Sequence, residues 1–216
     1  MTTLLHPQGL AAQRGERLLF RGLNLTLQPG EVVWLRGRNG RGKTSLLRIL
    51  AGLSTPAEGS VSLQGLDGDA PSSPRDSASR GDVLYIAHAN ALKDDLSAAE
   101  ALEFLARVHG HLPSSQSILA ALTRLGVAGH AQAPVRTLSQ GQRRRVALAR
   151  LALGSQSRIW LLDEPFDALD DAGVNALNGL LSEHAQQGGA ALLTSHQALI
   201  LKDPLPRVVH LDTDAS

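Results

Sequence analysis

The chain contains no cysteine among its 216 residues. This absence excludes disulfide bonds, thiolate metal sites and cysteine nucleophiles, and it is compatible with a reducing cytosol. No stretch approaches 18 uninterrupted apolar residues, the length that a membrane-spanning helix requires. The first residues, MTTLLHPQGLAAQRGE, lack the basic start and long apolar run of a secretion signal. We therefore expect no direct insertion into a bilayer, so that any membrane involvement comes through a partner.

The chain also lacks a strong excess of either charge. Its 21 basic and 20 acidic residues leave a formal net charge of +1. This balance argues against a protein held on nucleic acid mainly by bulk charge, so we expect no nucleic-acid partner. Apolar residues make up 43% and charged residues 19%, which is typical of a globular protein with a sizeable core. At this length the chain is one compact unit, or one core with an inserted lobe.

Strands alternate with helices along the sequence, which indicates an α/β core. Residues 18–35 predict two strands around the Pro29-Gly30 turn, and the second strand leads into a glycine-rich loop and a helix that stops at Gly52. Residues 66–82 are rich in Gly, Ser, Pro and Asp and predict an exposed loop. Further strands are predicted at 83–87, 159–162, 190–194 and 207–211, and helices at 98–125 (broken near 110–113), 140–153 and 171–187.

A phosphate-binding motif lies between the predicted strand 32–35 and the following helix. It matches G-x-x-x-x-G-K-[ST] at every fixed position, and it follows a strand and precedes a helix as that motif requires. A chance glycine-rich turn is the alternative, which this context disfavours. Backbone N–H groups and the helix N-terminus would bind phosphate oxygens of ATP, Lys43 would reach the β- and γ-phosphates, and Thr44 would ligate Mg²⁺. The candidate nucleotide-binding residues here are Gly37, Arg38, Asn39, Gly40, Arg41, Gly42, Lys43, Thr44 and Ser45.

Two carboxylates follow the buried strand predicted at 159–162. Asp163 would hold Mg²⁺ beside the phosphate loop, and Glu164 would orient and polarise the attacking water. The alternative is that both acids cap a helix after Pro165. A complete phosphate loop upstream favours the catalytic interpretation.

The segment Leu138–Gln142 (LSQGQ) opens a basic helical stretch. Ser139 is a good N-cap, and Gln142 three residues later completes a capping-box pattern. In isolation this is most simply a well-capped helix, although a helix start is also an anion site. In its context, however, the segment resembles the signature of the ATP-binding-cassette family, with Gln140 in place of the first of two glycines. Residues 166–170, FDALD, resemble that family's D-loop, and Ser195-His196 resembles its switch histidine.

The resemblance covers nearly the whole chain and implies a shared nucleotide site. In such proteins two copies pair head to tail, and each ATP lies between one copy's phosphate loop and the other copy's signature helix. It therefore implies that Ser139 and Gly141 bind γ-phosphate across that interface, and Gln142 and Asp170 are further candidate nucleotide-binding residues. His196 would bind γ-phosphate in cis and act with Glu164 and Lys43 as the catalytic set.

Two positions depart from the family pattern. His88 stands where a Q-loop glutamine is usual, and we expect it to couple the core to the helical lobe; a plain polar strand end is the alternative. Arg14 stands where an aromatic ring usually stacks on adenine. A guanidinium plane can also stack on a base, but a solvated loop arginine is as good an interpretation.

The resemblance implies a P-loop NTPase core of mixed and parallel sheet flanked by helices, with an N-terminal antiparallel β part and an inserted helical lobe. We expect a single ATP-binding domain over residues 1–216, with its core at 1–88 and 151–216 and its lobe at about 89–150.

Several segments resemble one branch of the family, the ATP-binding subunits of the haem exporter used in bacterial cytochrome c maturation. They include YIAH at 85–88, LSAAE at 96–100, DEPF at 163–166 and TSHQ at 194–197. The branch implies polytopic membrane subunits as partners and a place on the cytoplasmic face of the inner membrane. A soluble cassette ATPase of iron–sulfur cluster assembly is the alternative. A ribosome or nucleic-acid remodeller usually needs tandem cassettes or long coiled-coil insertions, for which 216 residues leave no room.

Overall fold

A computed structural model describes residues 4–64, 72–76, 81–153, 157–197 and 199–211. Of the loop predicted at 66–82, residues 66–71 and 77–80 lie outside this described part. The strands are β1 (Leu5–Arg14), β2 (Arg17–Leu23), β3 (Val32–Arg36), β4 (Glu58–Leu63), β5 (Val83–Ile86), β6 (Ile159–Leu162), β7 (Ala190–Thr194) and β8 (Arg207–His210). The α-helices are α1 (Lys43–Leu50), α2 (Ala98–Val108), α3 (Ser115–Arg124), α4 (Gln140–Leu148) and α5 (Asp171–Gln186).

A five-stranded parallel sheet forms the centre of the molecule, in the order β5-β6-β7-β3-β8. Every residue of β6 and β7 is buried, because helices cover both faces of a parallel sheet. Apolar clusters lie on the two faces, one packed with α1 and the other with α5 and the helical segments at 98–151. All strands end at the same edge, so the segments after β3, β5, β6 and β7 are brought together.

A second, antiparallel sheet has the order β2-β1-β4 and packs beside α1. This confirms the mixed architecture expected from the family resemblance, but β1 and β4 were not predicted as individual strands. Their patterns are hard to recognise because β1 contains Pro7, a left-handed Gly9 and register shifts against both neighbours. The first half of β4 is exposed, so it lacks a clear alternation of apolar residues.

The helix predicted over 140–153 is wrong in its last turn. The α-helix ends at Leu148, and the chain tightens into a 3₁₀ helix at Ala149–Ala152. Tightening of this kind is common at helix C-termini because i→i+3 bonds satisfy the last carbonyl groups. The first strand predicted over 18–35 is too long, since β2 ends at Leu23, well before the Pro29-Gly30 turn. The other predicted elements are confirmed to within two residues, including the break between α2 and α3. Among the described helices, none is both long enough and apolar enough to cross a bilayer.

A buried ring stack fixes α5 against the central sheet. The His184 imidazole lies parallel to the Trp160 indole at 3.8 Å between ring centroids. Gly189 makes room for this stack, since a Cβ there would lie 2.2 Å from the imidazole. Neither Trp160 Nε1 nor His184 Nε2 has a hydrogen-bond partner in the described part of the chain. Burial lowers the pKa of His184, so the folded protein favours the neutral ring.

We expect the free energy of unfolding to fall as the pH drops below about 6.5. Histidine in the unfolded chain binds a proton near that pH, whereas folded His184 resists protonation, so protons favour the unfolded state. His109, whose pKa burial also lowers, acts in the same direction. Urea unfolding of wild type and His184→Phe from pH 8 to about pH 5 measures the effect. The unfolding free energy of His184→Phe should fall less steeply with decreasing pH than that of wild type, and adding His109→Gln should reduce the dependence further. If His184→Phe had the same pH profile as wild type, His184 would be ruled out as a source of the pH dependence.

Candidate nucleotide site

A cleft of about 630 Å³ opens at the carboxyl edge of the parallel sheet. The phosphate loop forms one wall, and the segments that follow β5, β6 and β7 form the others. The turn between β1 and β2 also contributes, so predicted residues from five separate parts of the sequence meet in one place. Those that line the cleft are Arg14, Asn39, Gly40, Gly42, Lys43, Thr44, Ser45, His88, Asp163, Glu164 and His196.

The phosphate loop curves because two of its glycines take left-handed conformations. Gly40 has φ +78° and Gly42 has φ +98°. A Cβ on Gly42 would also lie 3.0 Å from Leu19 and 3.2 Å from Phe20, so glycine permits the loop to approach β2. Gly42, the N-cap of α1, has no side chain that could accept hydrogen bonds from the first turn of the helix. The N–H groups of that turn therefore remain available to an anion in the cleft.

Lys43 folds back onto the loop that precedes it. Its Nζ donates to the carbonyl oxygens of Gly37 at 2.7 Å and Arg38 at 3.5 Å. Carbonyl oxygens are weaker partners for an ammonium group than phosphate oxygens are. The side chain is thus held at the mouth of the cleft by contacts that phosphate groups can replace.

Asp163 joins the phosphate loop to two strand ends. Its Oδ2 accepts from Thr44 Oγ1 at 2.8 Å, and its Oδ1 accepts from Thr194 Oγ1 at 3.0 Å. A carboxylate and a hydroxyl side by side form an all-oxygen donor pair. Such a pair suits Mg²⁺, which prefers a few protein oxygens together with water and phosphate. The residues present therefore fit this cation.

Glu164 is buried and has φ +47°, a left-handed conformation that non-glycine residues rarely adopt. Its Oε2 accepts from the backbone N–H of His196 at 2.9 Å, and His196 Nε2 lies 3.5 Å from Oε1. Its own N–H donates to Thr194 Oγ1 at 2.9 Å. The helix-capping alternative for these acids is wrong, because the next α-helix begins at Asp171 and Asp170 is its N-cap.

His88 follows β5 and lies beside the D-loop. Its Nδ1 is 3.5 Å from Oδ2 of Asp167, and both side chains line the cleft. Asp167 was not predicted as a site residue. The only signal in the sequence was its place near the start of the D-loop-like segment, in which Asp170 was predicted as the nucleotide-binding carboxylate instead.

Arg14 lies at the end of β1, opposite Arg17 in the antiparallel register. Both arginines are exposed, and both line the cleft together with Leu19. Arg17 and Leu19 were not predicted as site residues, although the short turn at Gly15-Glu16 brings residue 17 back toward residue 14. Arg14 remains a predicted adenine contact.

The signature-like segment lies apart from this cleft. Ser139 Oγ accepts from Gln142 N at 3.2 Å, and Gln142 Oε1 accepts from Ser139 N at 2.9 Å, which confirms the predicted capping box. A Cβ on Gly141 would lie 2.7 Å from the Ala168 carbonyl oxygen, so glycine permits α4 to contact the D-loop. Asp170 accepts from Gly173 N at 2.9 Å and pairs with Arg145. None of these four predicted nucleotide contacts is among the residues described as lining the cleft.

Arg144 connects the signature helix to the cleft, although its side chain is only 3% exposed. Its Nη2 donates to the carbonyl oxygens of Asp163 (3.0 Å) and Glu164 (2.8 Å), and its Nε to that of Pro165 (3.3 Å). Its Nη1 donates to Ala87 O at 2.9 Å and Asn90 Oδ1 at 3.0 Å.

Burial lowers the pKa of Arg144, and the carboxylates of Asp167, Asp163 and Glu164 oppose that shift. This residue was not predicted. The signal was three consecutive arginines at 143–145, since successive helical residues point about 100° apart and one of the three must face the core.

Comparisons with known proteins agree with this arrangement. A family model described as ABC transporter matches residues 20–167. The chain belongs to the ABC transporter family. It is 45% identical over 212 residues to the cytochrome c biogenesis ATP-binding export protein CcmA 2 of Cupriavidus metallidurans, covering 98% of this chain and 97% of that protein. It is 43% identical over 208 residues to the protein named CcmA of Vibrio vulnificus, covering 96% and 99%.

Solved structures of the family share the fold. An ABC transporter ATP-binding protein from Pyrococcus furiosus superposes with a TM-score of 0.80 at 23% identity, covering 98% of this chain and 99% of that one. The dimeric structure of a bacterial ABC transporter cassette superposes with a TM-score of 0.74 at 25% identity, covering 90% and 88%.

We expect Arg144→Lys to lower the free energy of unfolding by about 2 kcal/mol or more, because one ammonium group cannot replace a planar fork bonded to two distant segments. The ATPase kcat should fall with it, since the carbonyl groups of Asp163 and Glu164 lose their donor. Urea unfolding and steady-state kinetics measure both effects. Arg107→Lys is the matched control, because Arg107 is exposed and pairs with Glu103 one turn away on the same helix. Equal, small effects in the two variants would contradict the assignment.

Proposed function

We propose that this chain is the ATP-hydrolysing subunit of the haem exporter of cytochrome c maturation, working with polytopic membrane subunits at the cytoplasmic face of the inner membrane. One observation carries the proposal: the phosphate loop, the two carboxylates and the switch histidine meet in one cleft of a chain that is 45% identical over 98% of its length to a named cytochrome c biogenesis export protein. The names of these relatives favour an export complex over a soluble assembly factor.

The phosphate loop binds the triphosphate of ATP. Lys43 moves from the carbonyl oxygens of Gly37 and Arg38 to the β- and γ-phosphates, which are stronger acceptors for its charge. The exposed N–H groups at the start of α1 bind phosphate oxygens. Thr44 and Asp163 would hold Mg²⁺, which would neutralise charge on the phosphates. Arg14 and Arg17 lie on the side of the cleft where the base would emerge.

Glu164 and His196 act on the water and the γ-phosphate. The buried carboxylate of Glu164 accepts a hydrogen bond from the attacking water and polarises it. His196 is fixed at its backbone N–H by Glu164 Oε2, and its imidazole donates to the γ-phosphate. The water oxygen bonds to the γ-phosphorus and its proton passes to the Glu164 carboxylate, while the bond from that phosphorus to the ADP oxygen breaks. Glu164 and His196 thus hold each other in position, because both follow buried neighbouring strands.

A second copy of the chain completes the site. The start of α4, with Ser139, Gly141 and Gln142, does not line the cleft of its own chain among the residues described. The Ser139 hydroxyl and the positive end of the α4 dipole suit a γ-phosphate held by another copy. The head-to-tail dimer places Asp170 and the D-loop beside both nucleotides. A dimeric assembly in a 25% identical cassette supports this arrangement.

An apolar groove next to His88 receives the membrane partner. Its volume is about 530 Å³, and residues 89–91 form part of its wall. Leu53, Phe104 and Val108 line it and are exposed, a cluster of apolar surface that normally marks an interaction site. Arg144 holds Asn90 in this wall and also holds Glu164 in the catalytic centre. A segment docked in the groove would therefore be connected through the Arg144 side chain to Glu164, which polarises the attacking water.

We expect Glu164→Gln to keep ATP binding while slowing hydrolysis about 100-fold or more, since the amide preserves the shape of the side chain but removes the base. The measurement is ATP affinity and turnover of the complex purified with its membrane subunits from detergent-solubilised cells. Glu183→Gln is the control, because that carboxylate pairs with Arg124 away from the cleft. Near-normal turnover in Glu164→Gln would exclude Glu164 as the base, and co-purification of soluble proteins alone would overturn the membrane-export proposal.

A further inference from the structure

A second cavity, of about 400 Å³, lies on the far side of the apolar groove. It is bounded by the end of α2, by the 3₁₀ helix that follows α4, and by Leu84 of β5. Its walls are partly apolar, and the exposed Leu112 lies at its edge. No step of ATP binding or hydrolysis described above uses it.

Arg150 lines this cavity and is only 8% exposed. Its Nη2 is buried and has no hydrogen-bond partner in the described part of the chain. Burial lowers the pKa of Arg150 to about 10, so the guanidinium is still charged at neutral pH. A buried charge without a counter-ion is costly, and in native proteins such groups are almost always paired.

The surroundings of Arg150 lack negative charge. Of the residues described as lining the cavity and the groove, none is an aspartate or glutamate. Asp82, which follows the lining residue Gly81 in the chain, pairs with Arg158 at 3.4 Å. His109 and His111 line the same cavity, and the charge of Arg150 together with burial lowers the pKa of His109. The cavity therefore disfavours further positive charge and favours a negative group.

The cavity and the apolar groove share part of their walls. Leu105, His109 and Arg150 line both of them. A chain segment that packs its apolar side chains in the groove can therefore extend a side chain to Arg150 without leaving the contact.

We propose that Arg150 binds a carboxylate side chain, an aspartate or glutamate, carried by the segment of the membrane partner that docks in the groove. This inference rests on the proposed function. A carboxylate suits the site because its two oxygens match the two N–H groups of a guanidinium edge. A free phosphate is less suitable, since its charge and extra oxygens would face the apolar parts of the cavity wall.

The pairing has opposite consequences for the isolated chain and for the complex. In the isolated chain Arg150 is a buried charge with no counter-ion among the residues that the structure describes. Replacing it with the similarly long, apolar methionine should therefore raise the thermal midpoint. In the complex the same change leaves the partner's carboxylate without its counter-ion and should weaken binding. A purely structural arginine would produce the reverse: a lower midpoint and unchanged binding.

The experiment compares Arg150→Met, Arg150→Lys and the control Arg107→Met, using the membrane subunits purified with the wild-type chain as the probe. We expect the affinity of Arg150→Met for these subunits to fall roughly 30-fold or more, Arg150→Lys to retain part of it, and Arg107→Met to bind normally. Each acidic residue in the cytoplasmic loops of the membrane subunits is then changed to its amide. One such change should weaken wild type by a similar factor and add no further loss to Arg150→Met.

Three results would overturn the inference: full affinity in Arg150→Met, no acidic residue of the partner coupled to Arg150, or a thermal midpoint that inorganic phosphate raises in wild type but not in Arg150→Met. The last result would identify a free-anion site. Failure of wild type itself to bind any membrane subunit would overturn the proposed function as well, which distinguishes the two failures.

Discussion

The Arg144 guanidinium is the contact on which the geometry of the site depends. A charged side chain that is 3% exposed must have its N–H groups satisfied, and here its hydrogen bonds connect three segments that are far apart in the sequence. The segments are 87–90, 163–165 and the signature helix that carries the arginine itself. Because the fork is planar, moving one segment alone would break bonds to the others. The signature helix and the segment that carries Asp163 and Glu164 thus share one rigid joint, the Arg144 side chain.

Thr194 has the equivalent role inside the core. Its hydroxyl donates to Asp163 Oδ1 and accepts from the N–H of Glu164, so one buried side chain of β7 fixes the end of β6. Parallel strands place their carboxyl ends at a common edge of the sheet. The Thr194 hydroxyl contacts both acidic residues at that edge and so fixes their positions relative to each other. Few further contacts are needed to fix the positions of the two carboxylates, because β6 and β7, which support them, are buried on both faces.

The sequence was most informative where chemistry imposes a spacing. The phosphate loop, the acidic strand end and the capping box at Ser139 each have fixed intervals, and all three occur where they were expected. The site residues that were not predicted depend on contacts between segments that are distant in the sequence. Arg144 and Arg150 look alike in a basic helix, yet one has five or more acceptors and the other has an Nη2 without any in the described chain. Acceptors that are backbone carbonyl groups of distant segments leave no trace in the sequence around an arginine.

The central claim is that nucleotide binding is transmitted to the helical lobe through the Arg144 joint. Hydrogen–deuterium exchange of the Glu164→Gln variant, titrated with Mg-ATP, tests it most directly. If the joint is rigid, amide protection should rise at residues 37–45, 87–90 and the start of α4 with one common ATP midpoint, and Arg144→Lys in the same background should remove the last two changes. Protection confined to residues 37–45, or full protection at all three segments in the Arg144→Lys background, would contradict the account.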